Sequence, residues 1–377
     1  LTRYTYTKHL ANAQRDVSAS HVADALFPND DCAKAKSIIS TWPGYMPTPL
    51  HSLPDIAQAA GVARIHYKDE STRLGLGAFK ALGGAYAVRN WYDTQQALGC
   101  SENLAVCTAT DGNHGRSVAW GAQQLGIECH IFIHAGVSQN RADSMTELGA
   151  TVHRVEGNYD FSIAECIRLS EQHGWQIVSD TSWEGYRDIP NQVMAGYTVL
   201  ADEIVAQLDG EIPTHIFLQA GCGGMAGALM GYFWQQWREE LPSIVIVESD
   251  MSDCVYQSVK QQSIVLVDIV EETLMAGLSC GEVSELAWPL IQRGASHIIT
   301  LNDDGVAPMM QWLAKPTADR PVIEGGECSA SGLIGLVSAS QDESLKSQLV
   351  LDSSSSILVI GTEGATDAEQ YQKLIRA

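Results

Sequence analysis

The apolar and polar positions of this chain change period repeatedly along its length. Residues 127–133 (IECHIFI) predict a strand, 138–148 a helix closed by Gly149, and 151–155 another strand. Residues 161–173 then read as a helix ended by Gly174, and 175–178 as a strand. Upstream, 63–67 is strand-like. Downstream, 215–218 and 244–248 read as strands around a helix at 225–237, and 357–361 is a strand near the chain's end. Strands alternating with helices predict an α/β fold with mainly parallel sheets covered on both faces. The loops at the carboxyl ends of those strands are then the places for a ligand. No repeat of solenoid length is present, and the only low-complexity run is Ser353 to Ser356.

Composition narrows the partners. The 377 residues suffice for one large α/β domain or two closely joined ones. With 45 acidic and 23 basic residues the formal charge is −22, which argues against nucleic acid and anionic membranes as partners. An anionic ligand would need a pocket with oriented dipoles or local positive charge. No apolar run is long enough to span a bilayer, and the first fifteen residues lack a signal-peptide core. Nine cysteines without a CxxC unit read as reduced thiols, which places the chain in the cytoplasm. His114, His134, His153 and His297 lack metal-ligand spacing, and no metal is expected.

Four segments carry candidate chemistry. Residues 69–82 (DESTRLGLGAFKAL) follow a strand, pass Gly75 and Gly77, and enter a helix containing Lys80. A lysine among Phe79, Leu82 and Ala85 is unusual unless paired or reactive, and burial would free its amine. The competing reading is a lysine whose stem lies on the core while its ammonium reaches water. Residues 108–115 (TATDGNHG) lead into a helix, so their N–H groups can face an anion; Asp111 could equally be a helix cap. Residues 178–190 (VSDTSWEGYRDIP) put Asp180 on a strand-end turn. Residues 219–227 (QAGCGGMAG) lie between a strand and a helix, where glycines let backbone approach a phosphate. No GK[ST] follows, so this is not a Walker loop.

The run DES-x-R-x-GLGAFK-x-LGGAYA resembles the Schiff-base segment of fold-type II pyridoxal 5′-phosphate (PLP) enzymes, the tryptophan synthase β and threonine dehydratase group. Within that group the chain resembles the diaminopropionate ammonia-lyases, through motifs from Asp69 to Asp367. The resemblance implies two α/β domains with PLP in the cleft between them. Residues 1–92 and 206–377 would form the large domain, with 93–205 a small domain inserted in it. It also implies a homodimer. Lys80 would carry the cofactor, beside Phe79, with Asn113 near its O3′. Gly221, Cys222, Gly223, Gly224 and Met225 would cup the phosphate, and no chemistry is assigned to the Cys222 thiol. Thr362, in GTEGATD at 361–367, would face the pyridine nitrogen. A neutral hydroxyl there suits elimination better than transamination.

Residues 272–278 (ETLMAGL) match a segment lining the family's pocket. Residues 326–330 (GECSA) depart at Cys328 and Ser329 from the family's GESGA-like run. For the substrate, a small amino acid, the resemblance implies Thr110, Asp111, Gly112, His114, Asp180 and Tyr186, with Thr181 and Trp183 nearby. Dehydratases carry Ser-x-Gly-Asn-His-Gly here; the carboxylate of Asp111 would attract a second ammonium. Lys80, Asp111 and Asp180 are then the expected catalytic groups, and the reaction an α,β-elimination of 2,3-diaminopropionate, of either hand, to pyruvate and ammonia. The rival readings are a serine or threonine dehydratase, a hydroxyaspartate lyase or a β-replacement synthase on the same scaffold. A PLP-free binding protein is a further rival. A nucleotide-binding oxidoreductase is remote, because 221–227 does not fit G-x-G-x-x-G.

Overall fold

The structure is a computed structural model that describes residues 3–100, 102–110 and 112–376, with Asn29 and Asp160 described in backbone only. Among the described residues eleven strands follow in chain order: β1 Tyr6–Ala11, β2 Leu50–Ser52, β3 Arg64–Asp69, β4 Ala105–Ala109, β5 Glu128–His134, β6 Thr151–Val155, β7 Gln176–Ile177, β8 His215–Gln219, β9 Ser243–Ser249, β10 Ala295–Leu301 and β11 Ser356–Gly361. The chain divides into two compact units. One comprises Leu1–Pro28, Pro47–Thr72 and Leu200–Ala377; the other comprises Asn29–Met46 and Arg73–Val199.

The first unit holds a seven-stranded sheet in the order β1-β10-β9-β8-β11-β3-β2. Its five inner strands are parallel, and β1 and β2 close the two edges antiparallel. The inner strands are continuous β-branched runs such as SIVIVES and SILVIG, buried along nearly their whole length. That is the pattern of parallel strands covered on both faces. Helix Glu327–Gln341 supplies one cover, pressing Leu333, Ile334, Leu336 and Val337 into the core with Phe217, Val247 and Val359.

The direction of the crossovers reverses between β8 and β11, which lie side by side in parallel register. Such a reversal leaves a crevice beyond the carboxyl ends of the two strands. From β8 that end leads into the loop 221–225, and from β11 into Thr362.

The second unit holds a four-stranded parallel sheet in the order β6-β5-β4-β7, with its own reversal between β4 and β7. Beyond β4 runs TATDGNHG, and beyond β7 runs the Asp180 segment. Helix Lys80–Ala97 is fastened here. A Cβ on Gly84 would stand 2.6 Å from Ser117 Oγ, one on Gly121 2.8 Å from Ala85 Cα, and one on Gly196 2.4 Å from the Leu82 carbonyl. Ser117 Oγ accepts the Ala85 N–H at 2.9 Å.

The expected division at 92/93 and 205/206 is therefore displaced. Lys80 and its helix belong to the smaller unit, because glycines on three helices let them pack at near-backbone contact. The larger unit correspondingly begins its last stretch at Leu200.

Candidate active site

Lys80 is the first residue of its helix, placed there by the turn through Gly75 (φ 71°) and Gly77 (φ 76°), a conformation that favours glycine. Its side chain is 22% exposed, and Nζ stands against a carboxylate oxygen of Asp180, itself 22% exposed. The Lys80 stem passes over Phe79, with Nζ 5.5 Å from the ring centroid, and Phe79 packs on Tyr197 at 4.8 Å.

His114 completes this group. It is buried, and its Nδ1 lies 3.9 Å from Asp180 Oδ2. Its Nε2 is 2.8 Å from the Val178 carbonyl. A carbonyl only accepts, so Nε2 carries the proton and a neutral ring turns the Nδ1 lone pair toward Asp180. Burial, reinforced by the Lys80 charge and opposed by Asp180, lowers the His114 pKa and keeps it neutral. For Asp180, burial by itself would raise the carboxyl; the Lys80 ammonium overcomes it and holds the group well below the usual carboxylate range.

The loop after β4 is built around Thr110. Its buried hydroxyl accepts the N–H groups of Gly112 at 3.2 Å and Gly115 at 3.3 Å. A Cβ on Gly115 would fall 2.5 Å from the Thr110 methyl. Asn113 opens helix Asn113–Leu125, whose N-cap, Gly112, offers no side-chain cap. Thr110, expected at the substrate, thus has its hydroxyl oxygen on its own backbone. The same holds for Tyr186: its O–H donates to the Ile177 carbonyl at 2.8 Å, and its oxygen accepts the Ser179 N–H at 3.0 Å. Asp111 lies outside the described residues.

In the first unit the predicted phosphate loop has the features an anion requires. Gly223 adopts φ 85° and caps helix Gly224–Trp237 without a side-chain bond, leaving its first N–H groups uncapped by any side chain. The loop backs onto the MAGL segment. A Cβ on Gly221 would stand 3.0 Å from the Gly277 carbonyl and 3.2 Å from Leu278 Cα. At Gly221 the loop therefore lies directly on the backbone of Gly277 and Leu278, with no room for a side chain. Cys222 contributes its carbonyl, which accepts the Ser284 N–H at 2.9 Å, and Met225 is buried in the helix's first turn.

Thr362 is buried beside this loop's strand. Gln219, the last residue of β8, donates Nε2–H to the Ile360 and Cys328 carbonyls at 2.8 and 3.0 Å and lies 3.4 Å from Thr362 Oγ1. Its Oε1 is buried with no hydrogen-bond partner. The sequence reading did not single out Gln219; an amide ending a buried strand directly before a glycine loop is the signal it left. Cys328 and Ser329 are inward-facing supports. The Cys328 N–H reaches Glu363 Oε1 at 3.2 Å, and Ser329 Oγ donates to the Glu363 carbonyl at 2.6 Å. Among the described residues no group of three or more histidine, cysteine or acidic side chains could hold a metal.

Known proteins match this arrangement over nearly the whole chain. The family model of pyridoxal-phosphate dependent enzymes matches residues 41–360. The diaminopropionate ammonia-lyase of Escherichia coli strain K12 is 40% identical over 370 residues, covering 93% of this chain and 92% of that protein. Crystal structures of the Escherichia coli enzyme superpose with a TM-score of 0.92 while covering 99% of this chain and 98% of theirs. One, at 37% identity, is a complex with D-serine. Another, at 38%, is a complex with an aminoacrylate-PLP azomethine reaction intermediate. The chain belongs to the pyridoxal-phosphate dependent enzymes, as a member of the diaminopropionate ammonia-lyase family.

Proposed function

We propose that this enzyme eliminates ammonia from 2,3-diaminopropionate of either hand, so that one molecule of substrate and one of water give pyruvate and two of ammonia. The observation that carries the reading is the Lys80–Asp180 ion pair at the end of β7, with neutral His114 behind it. Lys80 would hold the cofactor's aldehyde carbon through Nζ, residues 221–225 its phosphate, and Thr362 would offer a hydroxyl to the pyridine nitrogen. Bound PLP supplies the electron sink that acidifies the substrate Cα–H. All other steps fall to the chain.

Asp180 is suited to two tasks in succession. While Lys80 is an ammonium, Asp180 is a carboxylate too weak as a base to hold a proton at neutral pH. Once the Lys80 nitrogen is neutral, burial is left to raise the Asp180 carboxyl, and its basicity grows as it is needed. Lys80 or Asp180 then takes the Cα proton on one face and Asp111 on the other. The carboxylate not so engaged keeps the β-amine as an ammonium, the form in which it leaves. Two acids on separate loops support use of both enantiomers.

A second reading is loss of water from a β-hydroxy amino acid, favoured by the D-serine complex of the Escherichia coli enzyme. A coupled pyruvate and ammonia assay over D- and L-diaminopropionate, D- and L-serine and L-threonine separates the two. Two ammonia per pyruvate from both diaminopropionate isomers, far faster than from any hydroxy amino acid, is the expected result. Borohydride reduction should fix the cofactor's label on Lys80; label on any other residue overturns the assignment. We further place the enzyme in the cytoplasm as a homodimer, which sedimentation at assay concentration checks.

A further inference from the structure

Tyr186 follows Asp180 by six residues, and its hydroxyl reaches back to the backbone from which Asp180 emerges. The hydroxyl binds the Ile177 carbonyl and the Ser179 N–H at once. The ring is fixed separately: Trp183 stacks on it with centroids 4.2 Å apart, and the two residues exchange backbone hydrogen bonds of 2.9 and 3.3 Å. From another helix His114 donates to the Val178 carbonyl, while the Val178 N–H reaches Cys107 O at 2.8 Å. Three consecutive residues, Ile177, Val178 and Ser179, are thus each gripped by a side chain from outside the strand. Asp180 is the next residue.

We propose that Tyr186 is a positioning residue of the reaction, whose hydroxyl fixes the chain path through 177–179 and thereby seats the Asp180 carboxylate on Lys80 Nζ. The inference deepens the ammonia-lyase reading and rests on it for the chemistry, though not for the geometry. A phenol has one proton, and here it is committed to a carbonyl. Burial also pushes the Tyr186 pKa above the ordinary phenol range, which removes it as a base. What remains is placement, and a displacement of about 1 Å at a reacting group costs on the order of a hundredfold in rate. The groups facing Asp180 are Lys80 from one helix, His114 from another and Tyr186 from its own loop.

Tyr186→Phe keeps the ring and its stack on Trp183 and loses both hydroxyl bonds. In the holoenzyme, kcat on diaminopropionate should fall about ten- to a hundredfold with KM changed by less than about threefold. In the full chain stripped of cofactor, with carboxyl-labelled aspartate, the Asp180 resonance should titrate at higher pH than in the parent, because the carboxylate no longer sits on Lys80. Trp183→Ala removes the stack and keeps the hydroxyl, so it should leave that titration in place. Asp180→Asn and Tyr186→Phe should not multiply: adding the second change to the first should cost less than about twofold.

An unmoved Asp180 titration, an equal movement in Trp183→Ala, or multiplying losses would each overturn the proposal. Should Tyr186→Phe not fold, a fluorotyrosine at 186 weakens acceptance of the Ser179 N–H while keeping the ring, and carries the same expectation in smaller measure. The titration needs no substrate, so a chain inactive on diaminopropionate would defeat the functional reading and leave this one to be judged separately.

Discussion

Two lysines show what burial does and does not signal. Lys68 is more deeply enclosed than Lys80: its side chain is 0% exposed, with Nζ 2.7 Å from Glu203 and 2.8 Å from both the Thr48 carbonyl and Gln207 Oε1. A search for a buried lysine would choose Lys68, so burial alone does not point to the lysine proposed for the cofactor. The proposal of Lys80 rests on its motif, in company with the glycine loop and GTEGATD; its ion pair with Asp180 was not legible in the sequence. The carboxylate favours the charged amine, the opposite of what burial does, so the local sequence carried the wrong sign for its environment. The hold of His114 and Tyr186 on 177–179 was hidden for another reason: the acceptors are backbone carbonyls, which every sequence possesses.

The two lysines should part in experiment. Lys68→Met strands the Glu203 carboxylate in the core and should cost about 3–5 kcal/mol of stability, read by denaturant unfolding. Lys80→Ala should abolish turnover while costing far less, since its partner Asp180 is part-exposed. Asp180→Asn keeps the shape and loses the base, and should lower kcat by about a hundredfold or more with the fold unchanged by circular dichroism.

Secondary-structure elements were legible where their periods were strong. The six strands predicted in the middle and end of the chain, and that at 63–67, all appear within a residue or two as β5, β6, β7, β8, β9, β11 and β3. The edges were not. β1 alternates weakly (YTKHLA) and pairs antiparallel with β10 nearly three hundred residues away, and β2 is three residues long. A glycine inside a helix ordinarily weakens it, yet those at 83, 84, 121 and 196 leave room for the neighbouring helices where a Cβ would clash. Gly196→Ala should therefore act at a distance. Its methyl would enter the Leu82 carbonyl and push the Lys80 helix aside, costing about 1–3 kcal/mol and lowering Tm along with activity.

The β1–β10 edge makes a pH prediction. His9 Nε2 and His297 Nδ1 are 3.1 Å apart, so one ring must donate and the other accept. Burial first, then the charges of His9, His215 and Arg15, lower the His297 pKa to about 4. The unfolded chain binds that proton near the ordinary value of about 6.5, hence it holds more protons than the fold between those limits. Stability is then fully present above about pH 6.5 and drains as pH falls toward about 4. Hydrogen exchange should show β1 opening first in this window, and His297→Asn should flatten the Tm profile across it.

At the scale of the whole molecule the acidic charge and the anionic ligands have to be reconciled. A net charge of −22 repels PLP and a substrate carboxylate from afar. In the proposed site what would receive them is short-ranged: uncapped N–H groups at the starts of helices Gly224–Trp237 and Asn113–Leu125, which act within about a turn of the helix end. The two fields respond differently to salt. Added salt shortens the Debye length from about 30 Å at 0.01 M to about 8 Å at 0.15 M, which removes the repulsion felt on approach and leaves contacts at hydrogen-bond distance nearly intact. Reloading of cofactor-stripped enzyme should accordingly speed up as ionic strength rises through that range, with little change in the dissociation rate. A basic phosphate pocket would slow under the same titration. Stopped-flow absorbance of PLP binding at several salt concentrations reads the sign directly. A rate falling with salt would mean that side-chain cations rather than helix ends draw the phosphate in.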